Sequence, residues 1–478
     1  MDSKPARFSQ ASDRQKQLRE PVRFNLEPWL AAGLITLVTA LAYGVLIPQL
    51  GFYRDDWYML WAGQADGPAG IIRLFLTDRP LIGQTYALIF RVIGANALAW
   101  QVYALLLKIL TGLTLLWLLR LVWPTKRLET TFATLLYVLY PGFYQQPVAG
   151  TFNIDLLGLV AAHASIALSI YVLQSRNRLA QILCTLVAMA LALYYIALYE
   201  ATIGLEVVRW TLIFYVISVR ASEQGTRRVE RSVAQSKPNE AISSSAPKPD
   251  RNQIISISLA AFKALLPYLL TVAGFVYWRL FIFKSVRRAT NLDALLADYA
   301  RNPLYSLSQI LFGYLKDLFE TIVSAWFVPF YQFTANSRYT DFISGLGVTL
   351  VVLALVAVYF VWARRQEPEP APADPLARHW LWIGLIGVAL PSAVIVLLGR
   401  NVLFSTQWDR YTTQSMLGVA LLVLGAILYS LRGPARWAVF FSLLFLAVMT
   451  HYHSATYHVR FWNYERNVIW QLSWRAPT

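Results

Sequence analysis

The sequence predicts an all-α, polytopic transmembrane helical bundle, and three observations support that prediction. Hydrophobic residues make up 57% of the 478 positions and charged residues 14%, whereas about 25% of the residues in a soluble domain are charged. Apolar runs of roughly twenty residues recur along the chain, each long enough to cross a hydrocarbon core about 30 Å thick. The single cysteine, Cys184, lies inside one of these runs, so neither an intramolecular disulfide nor a multi-thiolate metal site can form.

About eleven of the apolar runs are predicted to span the membrane. They are residues 27–49, 97–119, 130–146, 154–174, 179–198, 201–219, 258–283, 343–362, 380–398, 414–431 and 437–452. Two long segments between spans differ from these. Residues 50–96 are expected to carry amphipathic juxtamembrane helices, because aromatic and aliphatic residues there alternate with isolated polar ones. Residues 305–333 are expected to be amphipathic or re-entrant, since Lys316, Asp317 and Glu320 interrupt the apolar pattern.

The basic residues predict the orientation of the bundle. The formal charge of +16 would indicate a nucleic-acid partner in a soluble protein. Here Lys and Arg gather at the ends of apolar runs and in one long loop, a pattern typical of topology control and of contact with anionic lipids. We therefore expect no nucleic-acid partner, a cytoplasmic N-terminus and, with eleven spans, a C-terminus outside.

The loops divide the chain into segments of different composition. Residues 221–257 are rich in Ser, Pro, Gln and charge, and we expect them to form a disordered cytoplasmic loop. The predicted organisation is a basic cytoplasmic leader at 1–26, an N-terminal transmembrane module at 27–220, that loop, a C-terminal module at 258–457 and an outer segment at 458–478. The aromatic content of the outer segment predicts a short helix along the outer surface. It either covers the first outer loop or serves as an interfacial anchor.

Two adjacent carboxylates, Asp55 and Asp56, follow the first span directly and stand among aromatic residues. A carboxylate near hydrocarbon is costly and tends to be functional. Partial desolvation raises its pKa and makes it a better proton acceptor. Two interpretations follow from the spacing: one acid acts as a general base while the other orients it, or one of them caps the helix that begins near Trp57.

These residues resemble part of a known family. An acidic pair opening the first outer loop, a juxtamembrane helix, and an Arg-Pro-Leu turn at 79–81 before the second span are similar to the GT-C superfamily. That superfamily of multi-span glycosyltransferases includes protein O-mannosyltransferases and the aminoarabinose transferases of lipid A. The resemblance covers about 27–120 and continues more weakly at 199–200 (Tyr-Glu) and 409–411 (Asp-Arg-Tyr).

The resemblance implies a mechanism and a set of site residues. The donor would be a polyprenyl-phosphate sugar, and Asp55, with Asp56 beside it, would take the proton of an acceptor hydroxyl as that oxygen attacks the anomeric carbon with inversion. The leaving lipid phosphate needs cationic hydrogen-bond donors. The candidates are Arg410, then Arg400 and Arg79. Each of these arginines could instead simply extend to lipid headgroups.

Glu200, Tyr53 and Tyr411 are the residues expected to contact the acceptor or substrate. The acceptor is a saccharide, a lipid or a protein. The histidines near the end of the chain, His451, His453 and His458, do not have the spacing of a zinc site on a helix, so no metal ligand is predicted. No resident cofactor is implied, and the role of a divalent metal stays open.

Two other functions compete with glycosyl transfer. A flippase or transporter of lipid-linked saccharide would also span the membrane many times, but such proteins usually carry inverted repeats and charges near the midplane. A polysaccharide polymerase or ligase would use outer arginines without needing the acidic pair. The sequence favours an enzyme of a bacterial-type inner membrane whose site faces the exterior.

Overall fold

The computed structural model describes residues 26–235, 251–335, 337–366, 376–404 and 407–475. These residues fold into sixteen α-helices with no β-strand among them, so the predicted all-α class is confirmed. In chain order the helices are α1 (Glu27–Gly44), α2 (Asp56–Phe75), α3 (Pro80–Ile93), α4 (Ala97–Val122), α5 (Arg127–Val138), α6 (Ala149–Gln174), α7 (Arg178–Leu198), α8 (Leu205–Gln235), α9 (Arg251–Tyr277), α10 (Leu292–Arg301), α11 (Pro303–Ile322), α12 (Val328–Thr334), α13 (Tyr339–Arg364), α14 (Leu376–Leu397), α15 (Met416–Ser430) and α16 (Pro434–Arg475).

Ten helical segments in the described part of the chain are long and apolar enough to cross a membrane. They contain helices α1, α4, α6, α7, α8, α9, α13, α14, α15 and α16. Each corresponds to one of the predicted spans. The chain is therefore a multi-pass membrane protein.

The remaining predicted span, 130–146, is not a continuous helix. Helix α5 has only 12 residues, about 18 Å, and the sequence Pro141-Gly142 stops any continuation. Residues 139–148 are non-helical and buried. Irregular backbone at membrane depth is tolerated where protein surrounds it. Two side chains hydrogen-bond this backbone. The hydroxyl of Tyr43 donates to the carbonyl of Val138 at 2.7 Å, and the side-chain amide of Gln101 donates to the carbonyl of Pro147 at 2.6 Å.

Two polar clusters mark the two ends of the bundle. At the Glu27 end, Arg120 donates to both carboxylate oxygens of Glu27, and Tyr359 donates to one of them at 2.8 Å. At the Asp56 end, Thr151 donates to Asp56 at 2.6 Å. Helix α5 begins near Glu27, and α6 begins at Asp56. Residues 127–148 therefore complete an eleventh crossing, half as helix and half as buried irregular chain.

Helices α2 and α3 form the predicted amphipathic pair between the first two spans. Helix α2 is kinked at Gly67 and Pro68, and α3 begins with Pro80, whose fixed φ suits a first helical position. One face of the pair packs on the bundle through side chains such as Ile71 and Tyr86, while Trp61 is 71% exposed. The pair carries the acidic residues at its start and Arg79 at its turn.

Helix α11, within the predicted segment 305–333, has both ends at the Asp56 end of the bundle. Near its start, the hydroxyl of Tyr299 donates to the carbonyl of Leu397 at 3.2 Å, and near its end Thr321 accepts from Tyr140 at 2.6 Å. Asp317 accepts from the backbone N–H of Val402 at 3.1 Å. The helix therefore lies across this end and anchors the turn that follows α14.

Two sequence-based boundaries differ from the structure. The predicted span 437–452 and the described part of the predicted separate outer segment, 458–475, form one continuous helix, α16, of 42 residues, because no Gly or Pro interrupts it after Pro434. Helix α8 continues to Gln235 and α9 begins at Arg251, so the disordered loop predicted at 221–257 starts too early and ends too late. Residues 236–250 of that loop and residues 1–25 of the predicted leader lie outside the described residues.

Candidate functional site

The acidic pair lies on a tight turn between α1 and α2. A short 3-10 turn (Ile47–Gln49) ends α1, extended residues follow, and Arg54 adopts a φ of 50° before α2 begins. Positive φ is uncommon for residues other than glycine and costs about 1–2 kcal/mol. The turn keeps this backbone shape because the residues on both sides of Arg54 are fixed.

Asp56 fixes the turn from inside the bundle. Its side chain is 0% exposed and accepts from the backbone N–H of Tyr53 at 3.0 Å and from the hydroxyl of Thr151 at 2.6 Å. Gly150 makes this approach possible, since a Cβ there would lie 2.8 Å from the carboxyl carbon of Asp56. Burial raises the pKa of Asp56 to about 7, although these hydrogen bonds oppose the shift.

Asp55, in contrast, is exposed. It occupies the N-cap position of α2 but makes no side-chain capping hydrogen bond, so the helix-cap interpretation does not hold for it. Its carboxylate is within electrostatic reach of the Tyr86 hydroxyl, as are Asp56 and Arg410. Of the two acids, Asp55 is the one open to a substrate.

Tyr53, which was expected to contact the acceptor or substrate, is buried in the turn. Its ring is 1% exposed. Its hydroxyl donates to the carbonyl of His458 at 3.0 Å and accepts from the N–H of Gly51 at 3.0 Å. Trp462 of α16 packs on the same turn: it stacks on Trp57, and a Cβ at position 51 would overlap its ring. Tyr53 and Trp462 therefore hold the turn to α16.

Arg410 lies opposite this turn and carries no carboxylate partner among the described residues. The centre of its guanidinium lies 5.3 Å from the ring of Tyr411 and 5.6 Å from that of Phe152. Its Nε is buried without a hydrogen-bond partner in the described chain. Asp155, half-buried on α6, lies within electrostatic reach of Arg410. Tyr411, another residue expected to contact the substrate, is 3% exposed, and its ring packs against the guanidinium of Arg410.

Asp409 positions Arg410. It is 0% exposed and accepts from the backbone N–H of Tyr144 at 3.0 Å and from the side-chain amide of Gln145 at 2.7 Å. Thr412 donates to the carbonyl of Gly142 at 3.0 Å. The short helix that carries Arg410 (Gln407–Ser415) is thus held against the irregular part of the eleventh crossing.

Glu200 lies between two arginines. The Nε of Arg279 donates to one carboxylate oxygen at 3.0 Å, and the Nε of Arg79 is 3.5 Å from the other. Arg279 also donates to the carbonyls of Phe283 and Thr290. The guanidinium of Arg79 lies 5.0 Å from the ring of Tyr199. Glu200 joins the turn before α3 to the end of α9 and is 22% exposed.

A cavity of about 570 Å³ opens beside this cluster, between the ends of α7, α9 and α14 and helix α10. Its polar rim contains four arginines and two acids: Arg79, Arg279, Arg288, Arg400, Glu200 and Asp298. Its walls are apolar and include Phe275, Leu280, Leu295 and Leu398. Arg79 and Tyr199 line the cavity and interact electrostatically with Arg410. Two lining residues of the cavity therefore lie close to the cluster that contains Arg410.

No protein-family model matches the chain, and no curated protein matches it significantly. The interpretation of the site therefore depends on its geometry and on the resemblance of the acidic loop.

Most of the residues predicted from the sequence converge at the Asp56 end of the bundle. Asp55, Arg79, Glu200, Arg410 and Tyr411 surround one region. Arg400 lies on the far rim of the cavity. Two contributors were not predicted as site residues, Asp155 and Arg279. Each is an ionisable residue within an apolar run, which is the signal that could have identified it.

The C-terminal histidines take part in helix packing. The Nε2 of His451 lies 2.9 Å from the Tyr43 hydroxyl, the Nδ1 of His453 is 2.8 Å from the Ser337 hydroxyl, and the Nδ1 of His458 donates to the Ser454 carbonyl. Within the described ranges, no group of three or more His, Cys, Asp or Glu residues is arranged to hold a metal ion.

Proposed function

We propose that the chain is an inverting glycosyltransferase that moves a sugar from a polyprenyl-phosphate carrier to an acceptor hydroxyl. We place this reaction at the extracytoplasmic face of a bacterial-type inner membrane, as the resemblance to the GT-C superfamily implies. The observation that carries the proposal is an exposed carboxylate, Asp55, at the same end of the bundle as a cavity that is lined by arginines and by apolar side chains.

The cavity suits an amphiphilic anion. The arginines of its rim offer charge-assisted hydrogen bonds to a phosphate, and a guanidinium can bind two phosphate oxygens at once. The apolar walls suit the first isoprene units. Phe281 and Leu397, next to the wall residues, are exposed on the bundle surface, so the rest of a long isoprenoid chain can extend into the bilayer. A soluble nucleotide sugar has no lipid chain that could pack against these apolar walls.

The two sides of the site divide the chemistry. Asp55 accepts the proton of the acceptor hydroxyl as its oxygen attacks the anomeric carbon. The bond from that carbon to the phosphate oxygen breaks, and its electron pair stays on the lipid phosphate. Arg410 is the cation beside which this negative charge develops; Asp155 lies within its electrostatic reach, but no carboxylate in the described chain forms an ion pair with it. Fixed cations stabilise such a transition state without reorganising.

One observation favours a second function, transport of a lipid-linked saccharide. Lys108 lies at the middle of α4 and is 0% exposed, and its Nζ has no hydrogen-bond partner among the described residues. Its ammonium lies 5.3 Å from the ring of Tyr43 and 5.4 Å from that of Phe143. Ionisable groups at this depth are common in transport pathways. However, Lys108 does not line the cavity of about 570 Å³ described above.

A reconstituted assay separates the two functions. The purified protein in lipid nanodiscs is given a panel of radiolabelled polyprenyl-phosphate sugars and a panel of hydroxyl acceptors, and glycosylated products are separated by chromatography. A transferase releases polyprenyl phosphate in step with product. In sealed vesicles, movement of labelled donor between leaflets without any release of polyprenyl phosphate would identify the transporter instead.

A further inference from the structure

We infer that Glu200 makes the site discriminate between lipid phosphates by charge, so that the product lipid phosphate leaves after transfer. The inference depends on the proposed function, since it takes the rim of the 570 Å³ cavity as the phosphate site. It assigns to Glu200 a role different from acceptor binding, the role expected from the sequence.

The geometry gives Glu200 no freedom to bind an acceptor. Each carboxylate oxygen faces a different guanidinium, Arg279 at 3.0 Å and Arg79 at 3.5 Å. Arg279 is 7% exposed and is held by two backbone carbonyls, so it fixes Glu200 in place. The contact of Arg79 with Glu200 is longer, and the buried Nε of Arg79 forms no hydrogen bond within the described chain. The carboxylate of Glu200 is therefore held in place on the cavity rim, between two guanidinium groups.

The proposed reaction changes the charge of the lipid phosphate in this site. The donor is a phosphodiester with one negative charge. When the sugar leaves, the lipid carries a phosphate monoester with a second pKa of about 6, so it bears close to two charges at neutral pH. A rim made only of arginines would bind the product more tightly than the donor, and each catalytic cycle would end with the site blocked.

A fixed carboxylate counteracts this difference. Coulomb repulsion scales with the charge of the ligand, so Glu200 opposes the monoester about twice as strongly as the diester. The other acid of the rim, Asp298, is 44% exposed and contacts the exposed Arg288 and Arg301, so solvent screens it more. Glu200 is therefore a specificity-determining residue for the charge state of the lipid.

The test compares two probes that differ by one charge, farnesyl phosphate and its methyl ester, for binding to the purified full-length protein at pH 8. In Glu200→Gln, which keeps an acceptor for Arg279, we expect the affinity ratio of monoester to diester to rise about tenfold. Glu200→Asp keeps the charge and should keep the wild-type ratio. The matched control is Asp66→Asn. Asp66 also pairs with an arginine, Arg73, at 2.7 Å, but neither residue lines the cavity.

A second variant makes the test independent of how well Glu200→Gln folds. Arg79→Gln removes one of the cations that Glu200 balances, and it should lower the ratio instead of raising it. An unchanged ratio in both variants, with both probes still binding, would overturn the inference and leave the donor site intact. Failure of either probe to bind the wild-type protein would overturn the donor site itself, and the inference with it.

Discussion

Adjacent carboxylates can have different proton affinities when water reaches only one of them. In this protein Asp55 faces the solvent-accessible side of the turn, whereas Asp56 is enclosed by α6 and bound by Tyr53 and Thr151. The first can exchange a proton with a substrate without disturbing the fold. The second cannot, because its hydrogen bonds hold the turn.

Replacement of Asp55 tests the proposed base. In Asp55→Asn, we expect transfer from a polyprenyl-phosphate sugar to fall by roughly a hundredfold or more, the scale of a lost general base. Donor binding and thermal stability should stay close to wild type, because the Asp55 side chain caps nothing. Single-turnover kinetics and a melting curve measure both quantities. Full activity in this variant would exclude Asp55 and direct attention to Asp155.

Replacement of Asp56 tests the buried anchor through pH. The pKa of folded Asp56, about 7, lies above that of an unfolded Asp, about 3.9, so the folded protein binds this proton more tightly. The free energy of unfolding therefore falls as pH rises from about 4 to about 7. Asp56→Asn should remove up to about 4 kcal/mol of that fall. Melting curves of both proteins between pH 4.5 and 8 measure the difference, and parallel pH profiles would contradict it.

Arg410 is expected to act on the leaving phosphate. In Arg410→Ala, transfer should fall by roughly a hundredfold, and the loss should be larger with donors whose phosphate leaves with more difficulty. Arg436, near the start of α16 at the Glu27 end of the bundle, provides the control variant Arg436→Ala. Equal losses in the two variants would mean that Arg410 only contacts lipid headgroups.

At the scale of single elements, α16 packs on the turn of the site with residues up to and including Trp462. Trp462 packs on Gly51 and Trp57, but beyond it the helix is mostly exposed. A chain that ends after Trp462 should retain transfer within about twofold. Trp462→Ala should lower transfer about tenfold and cost about 1–3 kcal/mol of stability, because the turn that carries Asp55 loses its support. A large loss on truncation, with a normal rate in Trp462→Ala, would reverse these roles.

The sequence predicts ten of the helical elements well and two features poorly, for physical reasons. Runs of twenty apolar residues have few alternatives to a spanning helix, because lipid leaves no partner for an exposed backbone. The crossing at 127–148 is different, since its irregular half depends on hydrogen bonds from Tyr43, Gln101 and Thr412, residues far away in the chain. The continuation of α16 beyond residue 458 is mixed aromatic and polar, and such a composition does not distinguish an extension of the last spanning helix from a separate surface helix.

At the scale of the whole molecule, the direction of each helix predicts which loops an impermeant reagent reaches. In a Cys184→Ala background, single cysteines at Gln64 on α2 and Tyr305 on α11 should be labelled in intact cells. A cysteine at Arg176, in the turn between α6 and α7 at the Glu27 end, should be labelled only after lysis. All three positions are exposed. Labelling of position 176 in intact cells would invert the proposed orientation and remove the extracytoplasmic site.

Sequence reasoning located the predicted site residues on separate spans but could not show which of them touch. Asp55, Glu200 and Arg410 are more than a hundred positions apart from one another, and only the packing of the bundle joins them. The pairing of Glu200 with Arg279 illustrates the limit: Arg279 lies in the last turn of an apolar run, where a cation alone suggests contact with headgroups. The structure instead gives Arg279 a half-buried carboxylate partner, Glu200, and two carbonyl acceptors.

The irregular crossing at 139–148 also has a consequence for biosynthesis. A 12-residue helix followed by non-helical backbone does not insert readily into lipid by itself, because the polar groups of that backbone have no partners there. Several of its hydrogen-bond partners, including Asp409, Thr412 and His451, are translated 265 or more residues later. Nearly the whole chain must therefore be synthesised before these backbone groups can form their hydrogen bonds. Nascent chains released before residue 409 would expose it and become substrates for membrane quality control.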